Sequence, residues 1–157
     1  MTYDSTIENL VDAVELHFST HIGSYVEAVN SGAAKASTLK PIRKVETSDA
    51  DPYGGSDFPR IQLYVQSLET EQVSTGFAQA AMSFAAVVAI NDGSEQRLRL
   101  LRYAEAMRQV LRDYHELGQS DFDVDPRGMT ITYYPTDPSV GIGVAKIDFR
   151  VIKDIPA

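Results

Sequence analysis

Residues 94–118 read SEQRLRLLRYAEAMRQVLRDYHELG and form the most regular stretch of the chain. Apolar side chains recur in it three or four residues apart, at Leu100, Tyr103, Ala104, Met107, Val110, Leu111 and Tyr114. That spacing places them on one face of an α-helix. Ser94 suits the N-cap position and Gly118 suits the position just past the end of a helix. We therefore predict a helix over 94–118 whose apolar face packs on the rest of the fold.

The opposite face of this helix mixes arginines with leucines. Its members are Arg97, Arg99, Arg102, Arg108 and Arg112, with Leu98 and Leu101 among them. Glu105 stands three residues before Arg108, a spacing at which an ion pair supports a helix. A solvated surface accounts for the arginines but not for the two leucines, which could cover the long loop or another subunit. Both interpretations of this face stay open on the sequence.

A long amphipathic helix is predicted at the start of the chain. Residues 5–8, STIE, have the form of a capping box, and apolar residues continue at helical spacing to about Asn30. Gly23 lies inside this segment and costs about 1 kcal/mol relative to alanine, which predicts a kink or close packing around it. The outward side is mainly acidic, with Glu8, Asp12, Glu15 and Glu27.

The helical pattern ends in a long loop, residues 31–59, which is rich in small residues, glycine, proline and aspartate. Only Leu39, Ile42 and Val45 hint at a short extended piece. A loop this long inside a compact domain is usually functional or disordered. It is either a mobile surface loop or an arm that becomes ordered against a neighbouring subunit.

Four segments are predicted as strands, at residues 60–69, 77–90, 129–134 and 142–153. The first and last alternate apolar with polar residues. The second is nearly all apolar and could form a helix, but Val87, Val88 and Ile90 favour a central strand. The predicted fold is one α+β domain over residues 1–157. It has an antiparallel, mostly four-stranded sheet with two main helices on one face, in the order helix, two strands, helix, two strands.

Composition excludes several classes of protein. The chain has 157 residues, enough for one domain with a sizeable core, and no cysteine, which excludes disulfides and thiolate metal sites. Its net charge of −8 disfavours a broad basic surface for nucleic acid. The amino terminus lacks the pattern of a signal peptide, and no apolar run approaches the roughly 18 residues of a membrane span. We expect a soluble protein.

The acidic segment 121–125 is one candidate metal site. Asp121, Asp123 and Asp125 match the first three ligand positions of an EF-hand loop, but Pro126 replaces the required glycine and Thr132 the required glutamate. We therefore predict a solvated acidic loop without a metal. A small metal- or ligand-binding domain, or an enzyme, that uses this loop is the alternative function from another class.

Histidines give no stronger candidate. His17 and His21 are four residues apart, as two ligands of one metal can be, but no third ligand is identifiable. His115 is the only other histidine, and no G-x-S-x-G motif supplies a nucleophile. We predict no catalytic residue, no cofactor, no metal and no enzymatic activity.

The order of elements resembles the tail terminator and tail completion family of tailed bacteriophages, small neck proteins that cap the tail tube and join it to the head. The resemblance covers nearly the whole chain, through IENLVDAVELHFSTHIGSYVEAV, a variable loop, FPRIQLYV, AMSFAAVVAI, RYAEAMRQVLRDY, MTITYY and VAKIDFRVI. These are patterns rather than a sharp signature.

The resemblance implies a structural virion protein with an α+β protomer, assembled as a ring, commonly a hexamer, around the channel for DNA. It also implies three partners, namely further copies of this chain, the tail tube protein and the head-side neck or connector proteins, with no membrane involved. The protein would assemble in the host cytoplasm and be located in the virion. DNA would pass through an acidic lumen without sequence-specific binding, because like charges repel. A head-tail adaptor or a head-closure protein is the nearest alternative.

Two regions are the candidate contact surfaces. An arginine and leucine helix face, with an acidic helix elsewhere on the molecule, suits a head-to-tail contact that closes into a ring when the rotation allows. The candidate interface residues are Leu98, Arg99, Leu101, Arg102, Arg108 and Arg112 on the helix, and Lys40, Arg43, Lys44 and Tyr53 in the loop.

Overall fold

The computed structural model describes residues 6–32, 38–54, 57–91, 96–113, 123–137 and 141–156. The described residues include two helices and five strands. In chain order they are α1 (Thr6–Ser31), β1 (Lys44–Thr47), β2 (Arg60–Ser74), β3 (Phe77–Ile90), α2 (Gln96–Arg112), β4 (Asp123–Asp137) and β5 (Ile142–Pro156). The α+β class and both helices are confirmed, while Ser5, Ser94 and Gly118 lie outside the described residues.

The sheet has five strands in the order β1-β2-β3-β5-β4. β1 pairs with β2 in parallel, and the three other pairings are antiparallel. The expectation of an antiparallel four-stranded sheet is therefore wrong: the sheet is mixed, and the order is helix, three strands, helix, two strands. The reason is the length of β1, whose four residues, KVET, are too few to show an alternating pattern.

The strand assignment of residues 77–90 is confirmed, but β2 and β4 are longer than the sequence predicted. β2 continues to Ser74 through a polar segment that is held by its pairing with β3. β4 begins at Asp123, inside the segment predicted as an acidic loop. In both cases a partner strand, rather than a local apolar pattern, extends the strand.

The main core lies between both helices and one face of the sheet, as predicted. Phe84 of β3 stacks on Phe149 of β5 with ring centroids 5.3 Å apart, and Phe18 of α1 packs against Phe149 at 6.0 Å. Met107 and Val110 of α2 are fully buried in the same cluster. The apolar stripe of α2 thus fixes the helix on the sheet.

Gly23 does not have the local role that the sequence predicted. α1 is one continuous helix through this position. A Cβ atom built at Gly23 would meet no other atom within 4 Å, so no close packing against the chain itself requires a glycine. The expectation of close packing is therefore wrong for the isolated chain.

The opposite face of the sheet carries a smaller apolar cluster. Alternate residues of β3 and β5 form it, namely Ala85, Val87, Ala89, Ile142 and Val144. Tyr53, Phe58 and Tyr64 pack against these residues, so the segment before β2 covers part of this face.

Candidate subunit interface

The orientation of α2 is fixed by two polar contacts with α1. His17 is buried, and its Nε2 lies 3.2 Å from the carbonyl oxygen of Val110, which can only accept, so Nε2–H is the donor. The hydroxyl of Tyr25 donates to Oδ2 of Asp113 at 2.7 Å. The flank of α2 with Val110 and Asp113 therefore faces α1, and the opposite flank points away from it.

The flank that points away from α1 holds five residues, which we call the outer stripe of α2. They follow one another three or four residues apart along the helix, as Leu98, Leu101, Glu105, Arg108 and Arg112. Leu98 is 39% exposed and Leu101 is 47% exposed, although both are large apolar side chains. The stripe is therefore apolar at its start and charged at its end.

The charged half of the outer stripe is ordered by ion pairs. Arg108 donates to Glu105 through Nε at 2.9 Å and Nη2 at 2.6 Å, which confirms the predicted pair. Arg112 donates in the same way to Asp113, at 2.9 and 3.2 Å. Hydrogen bonds from these arginines lower the pKa of both carboxyl groups. Exposed pairs of this kind add at most about 1 kcal/mol each, so their main effect is to hold the guanidinium groups in place.

Arg99 and Arg102 do not belong to the outer stripe. Each lies 11 residues, or about three helical turns, before a residue of the flank that faces α1. Arg99 therefore lies on the same side of the helix as Val110, and Arg102 on the same side as Asp113. Both side chains are partly buried. The structure therefore divides the predicted arginine and leucine face into two flanks.

α1 presents the opposite charge. It carries four carboxylates, Glu8, Asp12, Glu15 and Glu27, and no lysine or arginine, whereas α2 carries five arginines and one glutamate.

One part of this acidic surface faces the β1 edge of the sheet. Glu15 accepts a hydrogen bond at 3.0 Å from the hydroxyl of Thr47 in β1. Asp12, Glu15, Leu16 and Ser19 line a shallow groove of about 260 Å³, which we call the acidic flank of α1. Leu16 is 63% exposed there.

The two surfaces lie at opposite ends of the helix layer. α1 packs on α2 and β1, whereas α2 packs on β3, β5 and β4. Since β1 and β4 are the two edge strands, the acidic flank borders one edge of the sheet and α2 lies towards the other.

The loop residues predicted as contacts lie elsewhere. Lys40 and Arg43 line an open cleft of about 680 Å³ with Asp57 and Asn91. Lys44 is on β1 and pairs with Glu46 at 3.1 Å.

Tyr53 belongs to the other face of the sheet, where it lines an apolar cavity of about 350 Å³ with Tyr64 and Val87. The structure therefore does not bring the loop residues together with the outer stripe of α2.

The segment before β2 is held against its own sheet. The buried Arg60 donates from Nη2 to the carbonyl oxygens of Pro52, at 3.0 Å, and of Gly54. Its guanidinium carbon also lies 4.8 Å from the centre of the Phe58 ring. The hydroxyl of Tyr64 donates to the carbonyl oxygen of Ala50.

Sequence reasoning missed one surface, the far end of the β2–β3 hairpin. Residues 66–74 of β2 are all exposed, beyond a register shift between Val65 and Ser67. We call this segment the β2 extension. It includes two exposed apolar side chains, Leu68 and Val73. Residues 60–74 and 77–90 are of nearly equal length and are joined by the two residues Thr75 and Gly76, which is typical of a β-hairpin. The polar residues of the extension hid this pattern, because they do not alternate with apolar residues.

The described part of the chain offers neither a metal site nor a membrane-spanning helix. There, no group of three histidine, aspartate or glutamate side chains is placed to hold a metal ion. Asp121 and His115 lie outside the described residues. Neither α1 nor α2 is long and apolar enough to cross a membrane.

Comparisons with known proteins give likenesses of fold but not of sequence. The sequence matches no protein-family model and no curated protein. Among solved structures, the chain is similar to a chain of the virion of a native gene transfer agent particle. The two are 13% identical, the match covers 87% of this chain and 97% of that one, and the TM-score is 0.43. At that TM-score no role for a residue or for the protein follows.

Proposed function

We propose that this protein is a structural component of a tailed-phage virion, a neck protein that forms a ring on the tail tube and joins the tail to the head. The expected ring is a hexamer. The observation that carries the proposal is the outer stripe of α2, where Leu98 and Leu101 are exposed beside ordered arginines. Two large apolar side chains one helical turn apart, both more than a third exposed, form a small patch that an assembling subunit can bury.

The order of elements that suggested the neck family also supports the proposal. The elements follow the order that the resemblance implies, namely α1, β2, β3, α2, β4 and β5. The parallel strand β1 is an addition between α1 and β2. The helices lie on one face of the sheet, which is the protomer that the resemblance describes. The acidic charge of the chain suits a channel through which DNA passes without binding.

The β2 extension is the surface best suited to a different partner. It projects past the part of β2 that the core buries, and Val73 is 65% exposed on it. A ring on a tail tube needs an axial contact in addition to its lateral ones. We assign that contact to the β2 extension, with the tail tube protein as its partner. Contact of the same extension with a head-side protein would instead indicate a head-tail adaptor or head-closure protein.

The experiment is native mass spectrometry on the wild-type chain and on the double variant Leu98→Ser, Leu101→Ser. The wild type is expected to form one closed oligomer at roughly tens of micromolar. Each half-exposed leucine should contribute about 1 kcal/mol when an interface buries it, so the variant should dissociate at least about tenfold more readily at each contact.

Val73→Ser is the control, because it removes an apolar side chain that is even more exposed, at 65%, from a surface outside the ring contact. It should leave the oligomer unchanged. A wild-type chain that stays monomeric, and that also fails to bind tail tubes, would contradict the proposed function.

A further inference from the structure

We infer that the outer stripe of α2 binds the acidic flank of α1 of a second copy of this chain, in a head-to-tail contact repeated around the ring. The inference rests on the proposed function for the existence of a ring. It adds the identity of the two surfaces that meet at each contact between neighbouring copies.

Charge complementarity is the first argument. The outer stripe presents two arginines, Arg108 and Arg112, against one carboxylate, Glu105; Arg108 is oriented by its pair with Glu105, and Arg112 by its pair with Asp113 just past the end of α2. The acidic flank presents Asp12 and Glu15 on a helix without any lysine or arginine. Like charges would oppose a contact of α2 with α2, or of α1 with α1, whereas α2 on α1 brings opposite charges together.

Apolar complementarity is the second argument. Each surface carries leucine beside its charged residues, Leu98 and Leu101 on the stripe and Leu16 on the flank. The apolar and charged side chains lie within about four helical turns on the stripe and within about one turn on the flank, so one contact can bury leucines and pair charges together. This is the usual composition of an interface, with an apolar centre and a polar rim.

The placement of the two surfaces makes the contact head to tail. The acidic flank borders the β1 edge of the sheet, and the outer stripe lies on the flank of α2 that points away from α1. A protomer can therefore use both surfaces at once, each towards a different neighbour. Such heterologous contacts generate a ring when the rotation between neighbours closes.

Gly23 adds a feature of the same surface. It lies four residues after Ser19 on the exposed side of α1, and a Cβ atom there would meet nothing in the chain. Ser19 and Gly23 leave the helix backbone open to close approach. A second copy that packs against Ser19 and Gly23 of α1 supplies the close contact that the isolated chain lacks.

The test is a charge exchange between two variants. The first reverses the stripe by Arg108→Glu and Arg112→Glu. The second reverses the flank by Asp12→Lys and Glu15→Lys. Each variant alone then places like charges at every contact, which should raise the concentration needed for assembly by roughly a hundredfold. Their equimolar mixture restores opposite charges at every contact and should form a ring of alternating variants in native mass spectrometry.

The matched control is Lys40→Glu with Arg43→Glu, which removes the same amount of positive charge from the cleft. It should assemble as the wild type does. Circular dichroism monitors folding of every variant. If the first variant loses helix, Arg108→Gln with Arg112→Gln removes the charges without repulsion, and it must weaken assembly in the same assay.

The outcomes separate this inference from the proposed function. A wild-type chain that forms no ring argues against the function itself. A wild-type ring that both reversed variants also form, or variants that fold but fail to assemble when mixed, would overturn the α2-to-α1 contact and leave the ring in place.

Discussion

His17 is the most constrained polar residue between the helices. It is buried to 2% exposure, and its Nε2–H donates to the carbonyl oxygen of Val110 at 3.2 Å. Burial lowers its pKa, the hydrogen bond to Val110 opposes this, and His21 on the same helix lowers the pKa further. The burial of His17 could not be predicted from the sequence, because spacing alone does not reveal that α2 covers this side of α1.

A pH-dependent stability follows from His17. The unfolded chain binds a proton at this histidine below about pH 6.5, whereas the folded chain binds it only at lower pH. Between those values the unfolded state holds more protons, so the free energy of unfolding should fall as the pH decreases, by at most about 1.4 kcal/mol per pH unit for one proton.

His17→Gln is the variant that tests this, because it keeps a donor for Val110 and cannot titrate. Urea unfolding between pH 5 and pH 7 should show a shallower dependence on pH in the variant than in the wild type. Equal slopes in the two proteins would exclude His17 as the source.

The loop before β2 shows why an irregular segment was difficult to predict. Residues 48–54 and 57–59 are held by the side chains of Arg60 and Tyr64, which donate to backbone carbonyl groups, and by backbone contacts that have no sequence pattern. Nothing in an arginine at the start of a strand distinguishes a solvated side chain from one that binds two carbonyl groups. β1 was missed because its four residues are too few to show an alternating pattern.

Replacing Arg60 should release this loop. Arg60→Met keeps most of the side-chain length but removes the hydrogen bonds to Pro52 and Gly54, a loss of roughly 1.5 to 3 kcal/mol for bonds to a charged donor. Backbone amide exchange at Tyr53 and Gly54 should become faster, while exchange in β3 changes less.

Arg43→Met is the control for that experiment, because Arg43 is an exposed arginine of the same segment whose backbone N–H bond to Pro59 would remain. Its exchange at Tyr53 should match the wild type. If Arg60→Met behaved like Arg43→Met, the loop would be held by contacts other than those of Arg60.

The helices and the central strands were predictable from the sequence because their apolar periods directly reflect burial. α2 illustrates this, since every residue of its predicted apolar stripe from Leu100 to Leu111 is buried. The outer stripe was only partly predictable. Its leucines were visible in the sequence, but the separation of Arg99 and Arg102 from Arg108 depends on where α1 packs.

The whole molecule has two unlike surfaces on one helix layer, one rich in arginine and leucine and the other acidic. The five-stranded sheet holds them at a fixed separation, because both helices share the aromatic core around Phe84 and Phe149. A chain built this way presents two different and complementary surfaces on opposite sides, which is what head-to-tail assembly requires.

Negative-stain imaging of the wild-type protein mixed with tail tubes tests the central claim most directly. We expect a ring of this protein at one end of each tube, with its copies arranged around an open channel. Bare tubes, together with a protein that remains monomeric at the same concentration, would contradict it.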